Sequence, residues 1–174
     1  MLIKLTDVLA HDNKVIQTKV ALEMESFDSR MGSFDIVEKS DVDLTLTHTS
    51  KKNITIEAKA DLIIAVPCDR CLEPVKTNFS IDVNKAINMA HIEEDRVDEL
   101  EKDEYIIGYN LDVDKLIYDE ILINWPMKVL CKESCAGICN KCGTNLNFGD
   151  CDCDRAVLDP RMAVIRDIFN NSKQ

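Results

Sequence analysis

Apolar and polar residues alternate through the middle of the chain. Val42, Leu44 and Leu46 are interleaved with Asp41, Asp43, Thr45 and Thr47. After a polar turn at Thr49 to Asn53, the alternation resumes through Ile54, Ile56, Ala58, Ala60, Leu62, Ile64 and Val66, with Thr55, Glu57, Lys59 and Asp61 facing the other way. This period of two is that of half-buried strands. Pro67 ends the run, and Val75, Phe79, Ile81 and Val83 form a third, looser alternation. An antiparallel meander is expected from about residue 40 to 90. The period then changes. Val113, Leu116, Ile117 and Ile121 follow helical spacing, Asp112 or Asp114 can cap the start, and Trp125-Pro126 ends the helix, because proline disfavours helix at the residue before it. Asp159-Pro160 reads as an N-cap with proline at the first helical position, ahead of a face made by Met162, Ile165, Ile168 and Phe169. Before residue 40, Leu2 to Leu9 fits a strand or a short helix, and Val15 to Met24 a strand.

The meander leaves the cysteines outside its strands. Cys68 and Cys71 lie in the corner between the second and third strands, between Pro67 and Pro74. Cys131, Cys135, Cys139, Cys142, Cys151 and Cys153 fall in the segment between the two helices. Cys139-Asn-Lys-Cys142-Gly143 has knuckle spacing: two residues between the thiolates and a glycine after the second let both sulfurs face one tetrahedral cation. Zinc suits such a donor set, since it accepts sulfur ligands and imposes no directional demand of its own. Disulfide frameworks belong to small secreted domains. This chain of 174 residues is 45% hydrophobic and can build a core without them. It shows no apolar run long enough for a signal peptide or a membrane span. The expected compartment is the cytoplasm, and one or two Zn2+ ions are the expected cofactors. As four local pairs, the cysteines make two sites: Cys139/Cys142 with Cys151/Cys153, and Cys68/Cys71 with Cys131/Cys135. A second grouping, with Cys131, Cys135, Cys139 and Cys142 around one ion, competes with the first.

Charge narrows the partners. The formal net charge is -11, from 21 Lys+Arg against 32 Asp+Glu, which disfavours non-specific binding to a phosphate backbone. Residues 127–174 are near neutral, and acid is densest between Glu93 and Glu104, where it reads as a solvated connector or as a lure for a basic partner. With aromatic residues at 5%, a stacking platform for single-stranded RNA is thin, and Lys51, Lys52, Lys128, Lys132 and Lys141 read as solubilising charges. Catalysis finds no support. His11, His48 and His91 sit in no recognisable constellation, and five glycines supply no phosphate loop. A thiol-redox role for Cys68-Asp-Arg-Cys71, with Arg70 lowering a thiol pKa, or a metal-handling role is the alternative. A redox motif of the thioredoxin kind should open a helix, whereas Pro74 and renewed alternation follow here.

Taken together, Cys68-Asp-Arg-Cys71-Leu-Glu-Pro74, the helix 111–123, Pro126-Met-Lys-Val-Leu-Cys131, Cys135-Ala-Gly-Ile-Cys139, Cys142-Gly-Thr-Asn-Leu-Asn147, Cys151-Asp-Cys153 and Asp159-Pro-Arg161 resemble the YceD family. The resemblance runs over roughly residues 40–170. It implies a bacterial, cytoplasmic, non-enzymatic factor linked to accumulation of large-subunit (23S) ribosomal RNA and to ribosome assembly. The partner expected on that basis is a ribosomal protein or large-subunit assembly factor, with rRNA contact secondary and no membrane. The expected fold is α+β: an antiparallel meander, open or curled toward a barrel, with short helices. Residues 1–126 would form the β-rich domain with its acidic connector and helix, and 127–174 a zinc-binding tail and C-terminal helix.

Overall fold

The computed structural model describes residues 1–10, 14–50, 53–89, 105–153 and 168. Within them the fold is mostly antiparallel sheet with few helices. Its elements are β1 (Leu2–Lys4), α1 (Thr6–Leu9), β2 (Val15–Val20), β3 (Ser26–Ser29), β4 (Gly32–Lys39), β5 (Val42–Ser50), β6 (Asn53–Pro67), β7 (Pro74–Asn88), β8 (Ile106–Ile107), β9 (Asn110–Asp112) and α2 (Val113–Ile123). The acidic run Glu93 to Glu104 and the helix expected after Asp159 lie outside the described residues, Ile168 excepted.

β6 is the spine. Its even-numbered residues from Ile54 to Val66 are all buried, as the alternation requires. β7 pairs with it along its whole length, from Asn53↔Asn88 to Pro67↔Pro74. A strand has only two edges, so β4 and β5 must share the other one. β5 pairs with Asn53 to Lys59, and β4 with Leu62 to Ile64. They lie end to end, interrupted at Ser40-Asp41, where the Ser40 N–H donates to the Asp61 carbonyl (2.9 Å) and the Asp61 N–H donates to Ser40 Oγ (3.0 Å). The serine side chain thus stands in for a ladder bond at the break. β2 lies along the outer edge of β5 and β3 along that of β4. The meander therefore begins at about residue 15 rather than 40.

The sheet is open, and the barrel alternative does not hold: among the described residues no pairing joins β7 to the β2–β3 side. Its inner face is covered instead by α2 and by the small sheet β1-β9-β8. Residues 2–9 form both a strand and a short helix, rather than one or the other. α2 is capped by Asp112, whose side chain accepts from the Lys115 N–H. It buries Val113, Leu116, Ile117 and Ile121. Lys85, at an inward position of β7, is held by Glu120 of α2 at 2.7 Å and lies 5.0 Å over the Tyr105 ring. His48 is buried on the inner face of β5, beside Leu46 and far from any cysteine in sequence. On the outer face, Lys19, Asp43, Lys59 and Asp82 share one cross-strand row, with 3.0 Å ion pairs between Lys19 and Asp43 and between Lys59 and Asp82. Charge alternates along this row, so it carries no excess of acid. No helix among the described residues is long and apolar enough to cross a membrane.

Trp125 stops α2 and packs on Phe27, Phe34 and Phe79, with ring centroids 5.1, 4.9 and 5.6 Å away. Tyr118 of α2 adds a 2.7 Å bond from its hydroxyl to the Asp28 carbonyl. These contacts fix the place where the chain leaves α2 toward the cysteine-rich segment. Phe27 is fully buried. Phe27→Ala should destabilise the fold by about 3–5 kcal/mol, the usual cost of emptying a buried aromatic site. The sole tryptophan, Trp125, stacks on Phe27, so its fluorescence should report both the perturbed cluster and the earlier denaturation midpoint.

Candidate metal centre

The corner between β6 and β7 is built like a knuckle. The Cys68 N–H donates to the Glu73 carbonyl at 2.8 Å, and the Leu72 N–H to the Cys68 carbonyl at 2.9 Å. Cys68 and Cys71 are thereby turned to one side. No helix follows, since β7 begins at Pro74. The context that a thioredoxin-like motif needs is missing.

The segment after Trp125 docks onto this corner through its backbone. The Asp69 N–H donates to the Val129 carbonyl (2.9 Å), and the Asp69 carboxylate accepts from the Val129 N–H (2.7 Å). The Ile138 N–H donates to the Arg70 carbonyl (3.1 Å). Gly137, at φ +78°, lies so close that a Cβ there would stand 3.1 Å from the Arg70 carbonyl oxygen. Both its backbone conformation and this crowding favour glycine. The alternative redox reading gave Arg70 the part of a thiol-activating cation; the structure gives this side chain other partners. Its guanidinium donates to the carbonyls of Cys135 (2.9 Å) and Glu133 (3.3 Å) and so holds the loop that carries Cys135.

Docking brings the cysteines into two tetrads. Cys68, Cys71, Cys131 and Cys135 form one, and Cys139, Cys142, Cys151 and Cys153 the other; within each, all sulfurs lie within 4.8 Å of one another. The geometry thus favours the first of the two groupings. All eight cysteines are free of disulfide bonds. In the first tetrad the Cys68 and Cys135 sulfurs are 3.9 Å apart, and those of Cys71 and Cys131 3.6 Å. Four sulfurs about 2.3 Å from a central zinc ion sit about 3.8 Å from one another on a tetrahedron. The two closest approaches in the first tetrad match that spacing, and in both groups the sulfurs are near enough together that each could hold a metal ion.

Polar groups around the sulfurs favour the thiolate form. The Cys131 N–H points at Cys68 Sγ (3.4 Å), the Asn147 amide at Cys135 Sγ (3.3 Å) and the Lys141 N–H at Cys139 Sγ (3.4 Å). Thr144 Oγ1 lies 3.2 Å from Cys142 Sγ. Burial works to raise the Cys68 thiol, yet the N–H groups of Arg70, Cys131 and Cys71 bring it down to about 6. The Thr144 hydroxyl and N–H bring Cys142 to about 6 as well. Cys135 is lowered chiefly by the Asn147 amide and Cys139 by the N–H groups of Cys142 and Lys141, whereas one member of each tetrad is driven far the other way. Cys131 is pushed up to about 12 by burial and by the sulfurs of Cys135, Cys71 and Cys68. Cys153 is pushed up to about 12 by the Cys142 sulfur and by burial. Within a tetrad the first thiolates hinder the last, and a divalent cation removes that conflict.

Spacing in the sequence pointed to the eight sulfurs but not to Asp69, Asn147 and Thr144, which orient them. Asn147 Oδ1 also accepts from the Ala136 N–H at 2.9 Å, tying the second half of the loop back to the first. Among the expected lysines, Lys128, Lys132 and Lys141 are exposed near the tetrads, while Lys51 and Lys52 lie outside the described residues.

Metal analysis of the purified chain should give about two divalent ions per molecule. Cys139→Ser with Cys151→Ser should lower this to about one, and a result of one ion in the unmutated chain would sink the two-site reading. Chelation should strip hydrogen-exchange protection from residues 129–148 and from the corner 68–73. The β5–β6 ladder, which has its own buried face, should keep its protection.

The family model described as large ribosomal RNA subunit accumulation protein YceD matches residues 56–169, a stretch that includes both tetrads. The large ribosomal RNA subunit accumulation protein YCED homolog 1, chloroplastic, of Arabidopsis thaliana is 39% identical over 49 residues, 28% of this chain and 15% of that protein. An uncharacterized protein of Mycobacterium tuberculosis is 24% identical over 98 residues, 56% of this chain and 47% of that one. Another, of Mycobacterium leprae, is 25% identical over 79 residues, 45% of this chain and 36% of that one. Each match spans less than half the length of the curated relative. No solved structure matches. With well over half of its length matched by the family model, and with every cysteine inside that stretch, the chain belongs to the YceD family.

Proposed function

We propose that this chain is a non-catalytic, cytoplasmic factor that supports accumulation of large-subunit (23S) ribosomal RNA by binding an assembly partner. Zinc in the two cysteine tetrads would give its binding surface a fixed shape. The observation that carries this reading is the family match over residues 56–169, which covers the spine of the sheet, α2 and both tetrads. Zinc is supported by the donor sets. Four thiolates make a closed, structural site, whereas catalytic zinc keeps an open position with fewer protein ligands. A protein partner is supported by the net charge of -11, which attracts basic proteins and repels bare RNA.

Cells depleted of the protein should lose large-subunit RNA relative to small-subunit RNA. Re-expression of the unmutated chain should restore the ratio, whereas Cys68→Ser with Cys135→Ser should not, because that pair dismantles the tetrad binding the tail to the sheet. The measurement is RNA quantification on matched cultures. An unchanged ratio after depletion would remove the proposed role.

A further inference from the structure

One short stretch, Thr144 to Asn147, touches both tetrads. At its start the Thr144 carbonyl accepts from the Cys139 N–H (2.8 Å), and Thr144 Oγ1 lies 3.2 Å from Cys142 Sγ. At its end the Asn147 amide donates to Cys135 Sγ (3.3 Å). Cys139 and Cys142 belong to one tetrad and Cys135 to the other. The Asn147 side chain is fully engaged. Its Oδ1 accepts from the Ala136 N–H (2.9 Å), a group that can only donate, so the NH2 end faces the sulfur. The two amide hydrogens are divided between Cys135 Sγ and Asn145 Oδ1 (2.8 Å). Asn145 Oδ1 also accepts from the Asn147 N–H (3.0 Å), and the Asn145 amide donates to the Glu73 carboxylate in the β6–β7 corner (3.2 Å). Asn147 is thereby held in a single orientation.

The stretch hangs on the second tetrad. It is the return arm of a small turn that carries Cys139 and Cys142, joined across by the Ile138–Asn145 bridge and by the Leu146 N–H to the Gly137 carbonyl (2.8 Å). So short a pairing is marginal in water without further support. Cys151 and Cys153, beyond Asn147, complete the same tetrad, so Asn147 lies inside the span that this tetrad closes. A cation gathering those four sulfurs would hold the span, and with it the amide on Cys135. The two settings also differ in access. Cys68, Cys71 and Cys135 are buried, whereas Cys142 is exposed and Cys151 and Cys153 are half-buried. The second tetrad is the one that solvent reaches more readily.

We infer that Asn147 couples the two tetrads, so that metal in the second tightens metal binding in the first, and the reverse. Groups that hydrogen-bond a metal's ligands set its affinity by about 10–100-fold, and a coupling between two binding sites acts equally in both directions. The accessible tetrad thereby governs the buried one, which joins the tail to the sheet. Loss of metal at the accessible site loosens this clasp without direct attack on its buried sulfurs. The inference rests on zinc in both tetrads, as proposed above, and not on the RNA role.

The test titrates the full zinc-loaded chain with a chelator and reads hydrogen exchange at residues 68–73 for the first tetrad and at 139–146 for the second. Four chains are compared: unmutated, Cys139→Ser with Cys151→Ser, Asn147→Ala, and all three substitutions together. Removing the second tetrad should lower the zinc affinity read at 68–73 at least about tenfold, and Asn147→Ala should lower it as much. The triple variant should lie within about twofold of Asn147→Ala, because the link is already cut. Asn145→Ala, which removes the acceptor that holds Asn147, is a second cut of the same link and should give the same pattern. In the other direction, Cys71→Ser with Cys131→Ser, which leaves Cys135 in place, should lower the zinc affinity read at 139–146 by a similar factor. Protection of the β5–β6 ladder checks that each chain is folded. An unchanged affinity at 68–73 after loss of the second tetrad would overturn the inference. So would losses that simply add in the triple variant, or a second tetrad indifferent to the first. Two zinc ions with independent affinities sink the coupling and leave the metal reading intact, while fewer than two in the unmutated chain sink both.

Discussion

The pairing of β6 with β7 runs in unbroken register from Asn53↔Asn88 to Pro67↔Pro74, and everything at the tip depends on it. A shift by one residue would turn Ile54 through Val66 to the solvent side, which their burial forbids. The register therefore fixes where the two strands end, and the prolines there leave Cys68 to Glu73 to close the corner. That corner offers a backbone amide, a carbonyl and a carboxylate from Asp69 and Arg70 to the incoming tail. A hydrophobic constraint within the sheet thus places four sulfurs that lie far apart in sequence.

Legibility in the sequence follows how local each cause is. β5, β6 and α2 were readable because their buried faces repeat with a fixed period, and Asp112 caps α2 through a contact three residues away. β3 and β4 were not. Phe27 is the only large apolar residue of β3, and the register shift between Ile36 and Glu38 breaks the alternation of β4. β8 and β9, at two and three residues, are too short to show any period. At the site, the spacing within each cysteine pair was visible, while the choice of which pairs meet was not. That choice is made by contacts such as Val129 with Asp69, 60 residues apart, which leave no local pattern. Arg70 shows the same limit: its charge was legible, but the carbonyls it holds belong to another part of the chain.

The two tetrads differ in setting. In the first, Cys68, Cys71 and Cys135 are buried, with Val75 and Leu130 packed against them, so the cluster is continuous with apolar structure. In the second, Cys139 alone is buried, and its loop is held mainly by backbone bonds such as Leu146 N–H to the Gly137 carbonyl at 2.8 Å. The first joins two parts of the fold. The second lies in a loop with little buried apolar structure of its own, so an ion bound there would add to the backbone bonds that hold it.

Trp125 has a consequence for how the first tetrad assembles. In an unfolded chain, bringing Cys131 to Cys71 means closing a loop of 60 residues. Once Trp125 is seated among Phe27, Phe34 and Phe79, the free stretch up to Cys131 is only six residues. With loop entropy growing as the logarithm of length, the tenfold shortening saves about 2 kcal/mol. The aromatic cluster acts as a tether. It raises the effective concentration of one thiol pair near the other, so that the four sulfurs can regroup by a short local search while the rest of the chain stays folded.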